Sequence, residues 1–268
     1  MVKVLELFSG TGSVGKCCKQ LGWDVVSVDL LLPADHQVDI MNFDYKQYSK
    51  DDFDIVWASP PCTYYSALQN CWIGRKKKDG ILVTRELIEE QRKESDKLVL
   101  KSFEIIDYFN PHYWFLENPA SGNLKNREIM KDKPFYDVSY CMYSDWGYEK
   151  RTRIWTNKKD WNNKICDKSG ACGNMIDSQH KKVLGNGYEM IDGKKVLCNT
   201  KELRKKHKLN VATDVHTIGE KKHKVSLDKV GCGSQLNQPK DLKYLGNGTN
   251  RIDRYRIPED LIFSLFLE

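Results

Sequence analysis

The chain has 268 residues, of which 40% are hydrophobic and 30% charged, and its formal net charge is +6. This composition is typical of a soluble globular protein. It excludes a disordered polar tail and a chain made of apolar membrane spans. It contains no apolar run of about 18 residues and no signal segment, so we expect an intracellular protein whose nine cysteines stay reduced.

Positive charge is concentrated in residues 157–240. This segment holds 18 Lys and Arg against 9 Asp and Glu, a balance of +9, so the rest of the chain sums to −3. A basic segment on a near-neutral body favours an anionic partner, with nucleic acid first. A solvated lysine-rich surface would give the same count, and the charge alone leaves both interpretations open.

The N-terminal residues predict a strand, a glycine turn and a helix. Residues 3–8 are strand-like, residues 9–12 form a glycine turn, and a helix is expected over residues 13–21. Glycines let the backbone approach a ligand closely, and a helix N-terminus offers free N–H groups. A second strand then ends at Asp29, about 20 residues after the turn, where a carboxylate can bind ribose hydroxyls. The pattern predicts a nucleoside-containing cofactor.

A double proline follows another short apolar strand. Residues 53–57 predict a buried parallel strand, and Pro60 and Pro61 cannot continue its hydrogen-bond ladder, so the chain turns out at the strand's carboxyl end. Ligands bind at that edge in open α/β sheets, which would present the thiol of Cys62 at the rim of a site. Taken alone, the stretch is equally consistent with a proline turn that carries an incidental cysteine.

The next segments predict a loop, a long helix and a strand that ends in a carboxylate. The basic, glycine-flanked loop over residues 75–80 is typical of a mobile lid that touches phosphates. Apolar spacing predicts one helix over residues 84–109. The strand over residues 113–117 ends at Glu117, which we expect at the same sheet edge as the thiol of Cys62.

Two further strands are predicted, over residues 137–143 and over residues 151–155. Alternation along the second strand places Arg151 and Arg153 on one face. Both guanidinium groups can therefore point at one ligand.

In this order, the motifs resemble those of the cytosine-C5 DNA methyltransferases, which use S-adenosylmethionine. The resemblance covers residues 3–156, and the matching residues are Phe8-Ser9-Gly10-Thr11-Gly12, Asp29, Asp39, Pro61-Cys62, Glu117-Asn118 and Arg151-Thr152-Arg153. Three positions depart from the family's pattern. Thr63 and Pro119 replace the usual Gln and Val after the Pro-Cys and Glu-Asn pairs, and Glu149 stands where Gln often precedes the arginines. The catalytic groups are all present, and the chain is similar to the compact members found in phages and large viruses.

The resemblance implies a catalytic role for four residues. Cys62 would add to C6 of a cytosine flipped out of the duplex, and Glu117 would act as the acid at N3. Arg151 and Arg153 would polarise O2 of the base or hold a phosphate, and their charge would lower the pKa of the nearby thiol.

The resemblance also implies the cofactor and its contacts. It assigns the glycine turn to the methionine end of S-adenosylmethionine, Asp29 to the ribose and Asp39 to the adenine amino group. The full expected cofactor-binding set is Phe8, Ser9, Gly10, Thr11, Gly12, Asp29, Leu30, Asp39, Ile40 and Pro60.

Three other functions compete with this interpretation. An amino-methyltransferase that acts on N4 of cytosine or N6 of adenine uses a motif that Ser59-Pro60-Pro61 begins, but Cys62 occupies the position of its aromatic residue. A C5 methyltransferase of RNA uses the same thiol chemistry and stays open. A non-catalytic module that binds the cofactor and nucleic acid is disfavoured by the intact catalytic set.

The basic segment is expected to be a small target-recognition region. Within it, residues 188–198 predict a β-hairpin. Cys166, Cys172, His180 and Cys198 offer zinc ligands, but their spacing lacks a CxxC pattern, so we favour packing or idle thiols and assign no metal site.

The C-terminal residues predict a last helix that begins near residue 255 with a proline in its first turn. In the family the terminal helix returns to the catalytic domain beside the cofactor. The family's terminal Gly-Asn motif is matched by Gly246-Asn247.

We therefore expect an α/β fold, a doubly wound and mostly parallel sheet of the S-adenosylmethionine-dependent methyltransferase type, with a small irregular target-recognition region. The expected domains are a catalytic and cofactor-binding domain (1–156), a target-recognition region (157–240) and a C-terminal segment (241–268). We expect a monomer that acts on double-stranded DNA and not at a membrane. Its expected location is the cytoplasm of a bacterium, the interior of an infected cell, or the nucleus of a eukaryotic host, with or without a restriction enzyme as partner.

Overall fold

The computed structural model describes residues 1–77, 79–176, 179–182, 188–192, 194–197, 201–206 and 255–268. The chain divides into two units, Met1–Asp137 with Thr152–Trp161, and Val138–Arg151 with Asn162–Glu268. The strands are β1 (Lys3–Leu7), β2 (Asp24–Asp29), β3 (His36–Gln37), β4 (Ile55–Ala58), β5 (Tyr113–Pro119), β6 (Phe135–Ser139), β7 (Arg151–Thr156), β8 (Met175–Ile176), β9 (Gln179–His180), β10 (Tyr188–Ile191) and β11 (Lys194–Leu197). The helices are α1 (Ser13–Gln20), α2 (Arg85–Phe109), α3 (Lys201–Lys206) and α4 (Glu259–Leu267).

The first seven strands form one sheet in the order β3-β2-β1-β4-β5-β7-β6. Strands β3, β2, β1, β4 and β5 are parallel neighbours, and β7 runs antiparallel to β5. The chain leaves β1 toward β2 on one side and later returns to add β4 on the other side. The strand order therefore reverses at β1 and β4, where open α/β sheets bind their ligands. The doubly wound, mostly parallel sheet predicted from the sequence is confirmed.

The two faces of the sheet are covered by different helices. Leu5 and Leu7 of β1 belong to a hydrophobic core cluster that includes Val99 and Phe103 of α2. Side chains alternate along a strand, so Glu6 points to the other face, where its carboxyl group contacts the first turn of α1.

The long helix α2 forms as the apolar spacing predicts. The Thr84 side chain accepts a hydrogen bond from the Leu87 backbone N–H and caps the start. The helix ends at Phe109, and the capping residue Asn110 has a φ of 45°, in the left-handed region that terminates many helices.

The predicted strand over residues 137–143 is wrong at its C-terminal end. Strand β6 stops at Ser139, and Tyr140–Met142 form a 3-10 helix. The Tyr143 N–H donates to the Tyr140 carbonyl at 3.0 Å, a local turn contact that takes these residues out of the strand.

The remaining predicted elements lie in the second unit. The hairpin is confirmed, since β10 and β11 pair antiparallel. The C-terminal helix α4 follows Pro258, later than the predicted start. Gly246-Asn247 and Cys198 lie outside the described residues, and the predicted domain boundaries stay a prediction. None of the described helices has the length and apolar character needed to cross a membrane.

Candidate active site

One row of paired residues crosses four strands just before the expected ligand edge. The row consists of Val28, Leu7, Ala58 and Leu116, each paired with the next. The residues that follow this row at the carboxyl ends of the strands are Asp29, Phe8, Ser59 and Glu117. Neighbouring strands lie about 4.8 Å apart, so the three spacings between Asp29 and Glu117 amount to about 14 Å. Of the predicted site residues, Phe8, Asp29 and Glu117 thus follow one edge of the sheet, together with the turn after β4 that carries Cys62.

The turn that carries Cys62 is fastened to the neighbouring strand. The side-chain amide of Asn118, at the end of β5, donates a hydrogen bond of 2.9 Å to the backbone carbonyl of Pro60. Pro60 and Asn118 are buried, whereas Cys62 is half-buried. After Cys62 the chain turns back, with the Tyr65 N–H donating to the Cys62 carbonyl at 3.1 Å. The thiol is therefore held on a short turn between two proline residues and an anchored tyrosine.

A polar patch on α2 anchors the other side of the same turn. The Tyr65 hydroxyl donates to Asp96 of α2 at 2.9 Å, and Arg127 binds Asp96 through three hydrogen bonds of 2.6–3.1 Å. Burial raises the pKa of the Tyr65 hydroxyl, so this group stays a hydrogen-bond donor. The Tyr65 carbonyl accepts from the Asn123 N–H at 2.7 Å.

Glu117 and Arg153 belong to opposite faces of the sheet. Glu117 is buried and pairs with Ile154 across the antiparallel ladder, whereas Asn118 pairs with Arg153. Directly paired residues share a face and neighbours along a strand alternate, so the Arg153 side chain leaves the sheet on the face away from Glu117. The structure does not bring these two predicted catalytic groups together on one face.

The Arg153 guanidinium is bound by an acidic partner. Its Nε and Nη2 atoms donate to the two carboxylate oxygens of Asp137 at 2.7 and 2.9 Å. The guanidinium also lies 3.5 Å from the centre of the Phe135 ring. Arg151 belongs to the second unit, where its side chain is exposed and lies 4.0 Å from Glu149.

The glycine turn after β1 has the backbone conformation that its residues suggest. Gly10 and Gly12 have φ values of 53° and 66°, and Phe8 between strand and turn also has a positive φ of 57°. The Ser9 N–H donates to the Val28 carbonyl at 3.1 Å, and the Ser9 carbonyl accepts from Gly12 at 2.8 Å. Thr11 contacts Ser13 through a hydroxyl–hydroxyl hydrogen bond of 3.1 Å. A positive φ costs less for glycine than for a residue with a side chain, so glycine is favoured at both positions of this turn.

Asp29 joins the glycine turn to the loop after β2. Its Oδ2 atom accepts from the Gly10 N–H at 2.9 Å, and Oδ1 accepts from Leu31 and Leu32 at 2.8 and 2.7 Å. A carboxylate has about four acceptor positions, so one position is left for a ligand. Leu30, next to it, leaves 56% of its surface exposed and offers an apolar face at the same edge.

Asp39 and Ile40 lie in the short loop after β3. Asp39 accepts from the Met41 N–H at 2.9 Å and caps the 3-10 helix Ile40–Asn42. Ile40 is buried in the core cluster beneath this loop. The structure therefore gives both residues a local structural role, and their contact with a cofactor stays a prediction.

Sequence reasoning missed Glu6, which organises the start of α1. Glu6 is buried, and its two oxygens accept from the backbone N–H groups of Val14 and Gly15 at 3.2 and 3.0 Å. A Cβ at Gly15 would lie 3.0 Å from the Glu6 Oε2 atom, so a side chain at this position would press on the Glu6 carboxyl group. Burial raises the pKa of Glu6 from 4.5 to about 7. A polar residue at an inward position of an otherwise apolar strand was the signal for this role.

The basic loop predicted as a lid is closed by backbone pairing. Two backbone hydrogen bonds of 2.9 Å close its base: the Gly74 N–H donates to the Val83 carbonyl, and the Val83 N–H donates to the Arg75 carbonyl. The exposed apolar residues of this hairpin and its base are Trp72, Ile73, Ile81 and Leu82. Basic side chains and exposed aromatic and aliphatic groups therefore share one hairpin of the first unit.

Known proteins identify the family. The chain matches no family-level sequence model. A relative from Frog virus 3 (isolate Goorha), named "Probable DNA (cytosine-5)-methyltransferase", is 42% identical over 176 residues, which cover 65% of this chain and 79% of the relative. The chain belongs to the DNA (cytosine-5)-methyltransferase family.

Solved methyltransferases show weaker similarity. The Entamoeba histolytica methyltransferase EhMeth is 15% identical over 62% of this chain, with a TM-score of 0.41. The S. pombe Dnmt2 methyltransferase is 14% identical over 68% of this chain, with a TM-score of 0.39. The chain covers 56% and 58% of these two proteins, a little over half of their length. The family assignment depends on the viral relative, and the fold on the strand order.

Within this cytosine-5 methyltransferase, the sequence-predicted residues fall into two groups. Phe8, Asp29, Cys62 and Glu117 follow one sheet edge in the first unit. Arg153 is bound to Asp137 on the other face, and Arg151 pairs with Glu149 in the second unit. The structure thus supports a shared edge for thiol, acid and cofactor turn, and gives the arginines partners of their own.

Proposed function

We propose that this chain transfers the methyl group of S-adenosylmethionine to C5 of a cytosine in DNA. The observation that carries the proposal is the hydrogen bond from Asn118 to Pro60, which ties the Cys62 turn to the strand that delivers Glu117. A thiol and a carboxyl group on one sheet edge are the two groups that C5 chemistry requires. The viral relative, 42% identical, bears the name of this activity.

Cys62 is the proposed nucleophile. C5 of cytosine reacts poorly because it belongs to an aromatic ring. The Cys62 thiolate would form a bond from Sγ to C6, which moves the π electrons of the C5–C6 bond through C4 toward N3. Glu117 in its acid form would give its proton to N3 and neutralise the developing charge. C5 then has the electron density of an enamine.

When bound, S-adenosylmethionine supplies a methyl group on a positively charged sulfur. Once C5 carries the methyl group, its proton leaves to a base and the bond between Cys62 and C6 breaks. Glu117 takes the N3 proton back, and the ring regains its aromaticity. The target atom C6 is not accessible inside a duplex, so the proposal requires that the base be flipped out.

The start of α1 suits S-adenosylmethionine better than a dinucleotide. A pyrophosphate binds to the free N–H groups at a helix N-terminus. Here Glu6 already accepts from the Val14 and Gly15 N–H groups, and a phosphate would meet its carboxyl group.

The residues proposed to hold the cofactor are Phe8, Ser9, Gly10, Thr11 and Gly12 for the methionine end, and Asp29, Leu30, Asp39, Ile40 and Pro60 for the nucleoside.

We propose a different role for Arg153 from the direct contact with O2 that the resemblance implies. Its two hydrogen bonds to Asp137 make it a positioning residue that holds β7 against β6. Contact with the base would require this ion pair to open. The role of Arg151 at the base or at a phosphate stays a prediction.

Double-stranded DNA is the proposed polymer. The hairpin at Gly74–Val83 supports it because Arg75, Lys76 and Lys77 accompany exposed apolar side chains. The balance of +9 over residues 157–240 supports phosphate contacts by the proposed target-recognition region. Monomeric state and cellular location stay predictions from the sequence.

Methyl transfer to matched polymers tests the proposal. Radiolabelled S-adenosylmethionine is supplied with double-stranded DNA or with RNA of the same sequence, and bisulfite sequencing locates any methylated cytosine. We expect label at C5 of cytosine in DNA, lost in Cys62→Ala and kept in Cys71→Ala, where an exposed thiol of the first unit is removed. Label in RNA alone would contradict the DNA assignment, and label in neither polymer would contradict the enzymatic role.

A further inference from the structure

Four side chains that commonly bind zinc converge in the second unit, away from any assigned role. The ligand atoms of Cys141, Cys166, Cys172 and His180 all lie within 4.8 Å of one another. Two of these separations are 3.7 Å, from the Sγ atoms of Cys166 and Cys172 to Nε2 of His180. We propose that these four side chains bind one Zn²⁺ ion in a tetrahedral site.

The separations agree with tetrahedral zinc. Zinc–sulfur bonds of about 2.3 Å and zinc–nitrogen bonds of about 2.0–2.1 Å at a tetrahedral angle place sulfur and nitrogen about 3.5–3.6 Å apart. The observed separations of 3.7 Å are close to this value. A disulfide would instead bring two sulfur atoms to about 2.05 Å, and Cys141, Cys166 and Cys172 are all free thiols.

Separate segments of the chain bring the ligands together. Cys141 lies in the 3-10 helix after β6, Cys166 and Cys172 lie in the loop before β8, and His180 lies in β9. Strand β9 pairs with β8, where His180 lies opposite Met175. One ion would therefore join three segments that share little regular secondary structure, which is the usual setting of a structural zinc site.

A buried asparagine supports the backbone around the cluster. Asn174 is 2% exposed, and its amide nitrogen donates to the carbonyls of Cys141, Ser144 and Cys172 at 2.8, 2.7 and 3.0 Å. Its Oδ1 atom accepts from the Gly147 N–H at 3.0 Å. The main chain at two of the four ligands is thus fixed by one side chain, as outer residues fix the ligands of metal sites.

The chemistry of the ligands points to a structural ion. Three thiols and an imidazole would release three protons on binding Zn²⁺, and three thiolates with Zn²⁺ leave a net charge of −1. Four protein ligands leave no open position for water, so the ion would stabilise the fold and not activate a substrate.

The sequence analysis assigned no metal site, and it included Cys198 and not Cys141 among its four candidate zinc ligands. Cys198 lies outside the described residues, and Cys141 takes its place in the cluster. Cys141 is far upstream of the other three, and the spacing from Cys166 to Cys172 is longer than a CxxC pair, so no local motif marks the site.

Metal content of the full chain tests the proposal directly. The protein is produced with zinc in the medium, purified without chelators, and measured by elemental mass spectrometry. We expect about one zinc ion per chain in the wild type and about a tenth of that or less in Cys141→Ser. Cys71→Ser and Cys198→Ser should keep the ion. Loss of zinc in Cys198→Ser with retention in Cys141→Ser would overturn the ligand assignment, and a zinc-free wild type would overturn the site.

Two further measurements separate metal loss from misfolding. His180→Cys keeps four ligands, so it should still bind one ion, and with Co²⁺ in place of zinc its thiolate-to-cobalt absorption should exceed that of the wild type. A chelator should lower the Tm of the wild type and leave that of Cys141→Ser unchanged. Identical cobalt spectra for His180→Cys and the wild type, or no effect of the chelator, would contradict the proposal. A disulfide among the three cysteines in protein purified without oxygen would also contradict it.

Discussion

The side-chain amide of Asn118 donates a 2.9 Å hydrogen bond to the backbone carbonyl of Pro60, 58 positions earlier in the chain. Both residues are buried, and each directly adjoins a proposed functional feature. Pro60 begins the turn that presents Cys62, and Asn118 follows Glu117. This one contact therefore fixes the thiol relative to the strand that carries the acid.

Asn118→Ala is expected to reduce methyl transfer more than it reduces cofactor binding. The substitution leaves the buried Pro60 carbonyl without its donor, at a cost of about 1–3 kcal/mol in unfolding free energy. A displacement of the Cys62 turn by about 1 Å can lower turnover by about 10²-fold. Single-turnover rates and calorimetry with S-adenosylmethionine separate the two effects. Asn126→Ala, which removes an exposed asparagine, is the control, and equal rates in both variants would contradict the positioning role.

Asp29→Asn is expected to weaken S-adenosylmethionine binding by about 1–3 kcal/mol, the range for a buried polar group that loses a partner. The carboxylate holds the glycine turn through Gly10 and has one acceptor position left for a ribose hydroxyl. Calorimetry measures the change, with Asp24→Asn at the other end of β2 as the control. Tight binding of NAD by the wild type, without any response to S-adenosylmethionine, would contradict the cofactor assignment.

Glu6 is expected to make stability fall as the pH rises from about 4.5 to about 7. Its pKa of about 7 in the folded chain exceeds the ordinary 4.5, so the folded state keeps a proton that the unfolded chain has lost in this window. Below pH 4.5 the group is protonated in both states and costs no stability. Above pH 7 it is ionised in both states, and the free energy of unfolding is lower by on the order of 3 kcal/mol.

Glu6→Gln should therefore remove part of this pH dependence. Urea unfolding at pH 5 and pH 8 measures the free energy of unfolding. From pH 5 to pH 8 this free energy should fall less in the variant than in the wild type. Glu128→Gln, an exposed carboxylate, should leave the wild-type dependence unchanged. Parallel curves for the wild type and Glu6→Gln would show that Glu6 does not retain its proton.

Arg153→Lys and Asp137→Asn are expected to destabilise the chain by similar amounts, about 1–2 kcal/mol each. Both variants break the same two-point ion pair, so the double variant should lose less than the sum of the single losses. Turnover should fall no further in Arg153→Lys than in Asp137→Asn. A turnover loss confined to Arg153→Lys would instead support direct contact with the base.

The sheet and its ligand edge were predictable because they depend on short apolar strands with polar residues at their ends. Asp29, Cys62 and Glu117 each follow such a strand, and parallel pairing places their strand ends along one edge. The partners of the arginines were not predictable in this way. Asp137 and Arg153 lie on strands joined by an irregular segment, and their pairing depends on the register of the sheet.

Polar contacts between residues far apart in the chain were also not predicted from the sequence. Glu6 occupies the N–H groups that a ligand was expected to bind, and Asp96 anchors Tyr65 from the middle of α2. Neither residue belongs to a local motif, since each meets its partner only after the helix has packed on the sheet. The same limit applies to Cys141, which joins three ligands from a distant segment.

The covalent role of Cys62 is tested most directly with a DNA substrate in which 5-fluorocytosine replaces cytosine. The Cys62 adduct at C6 can form and be methylated, but fluorine cannot leave C5 as a cation, so the enzyme stays attached. We predict a DNA–protein adduct that survives denaturant, requires S-adenosylmethionine and maps to Cys62. It should form normally in Cys71→Ala, more slowly in Glu117→Gln, and not at all in Cys62→Ala. An adduct that persists in Cys62→Ala, or full methyl transfer to this substrate with no adduct, would contradict the account.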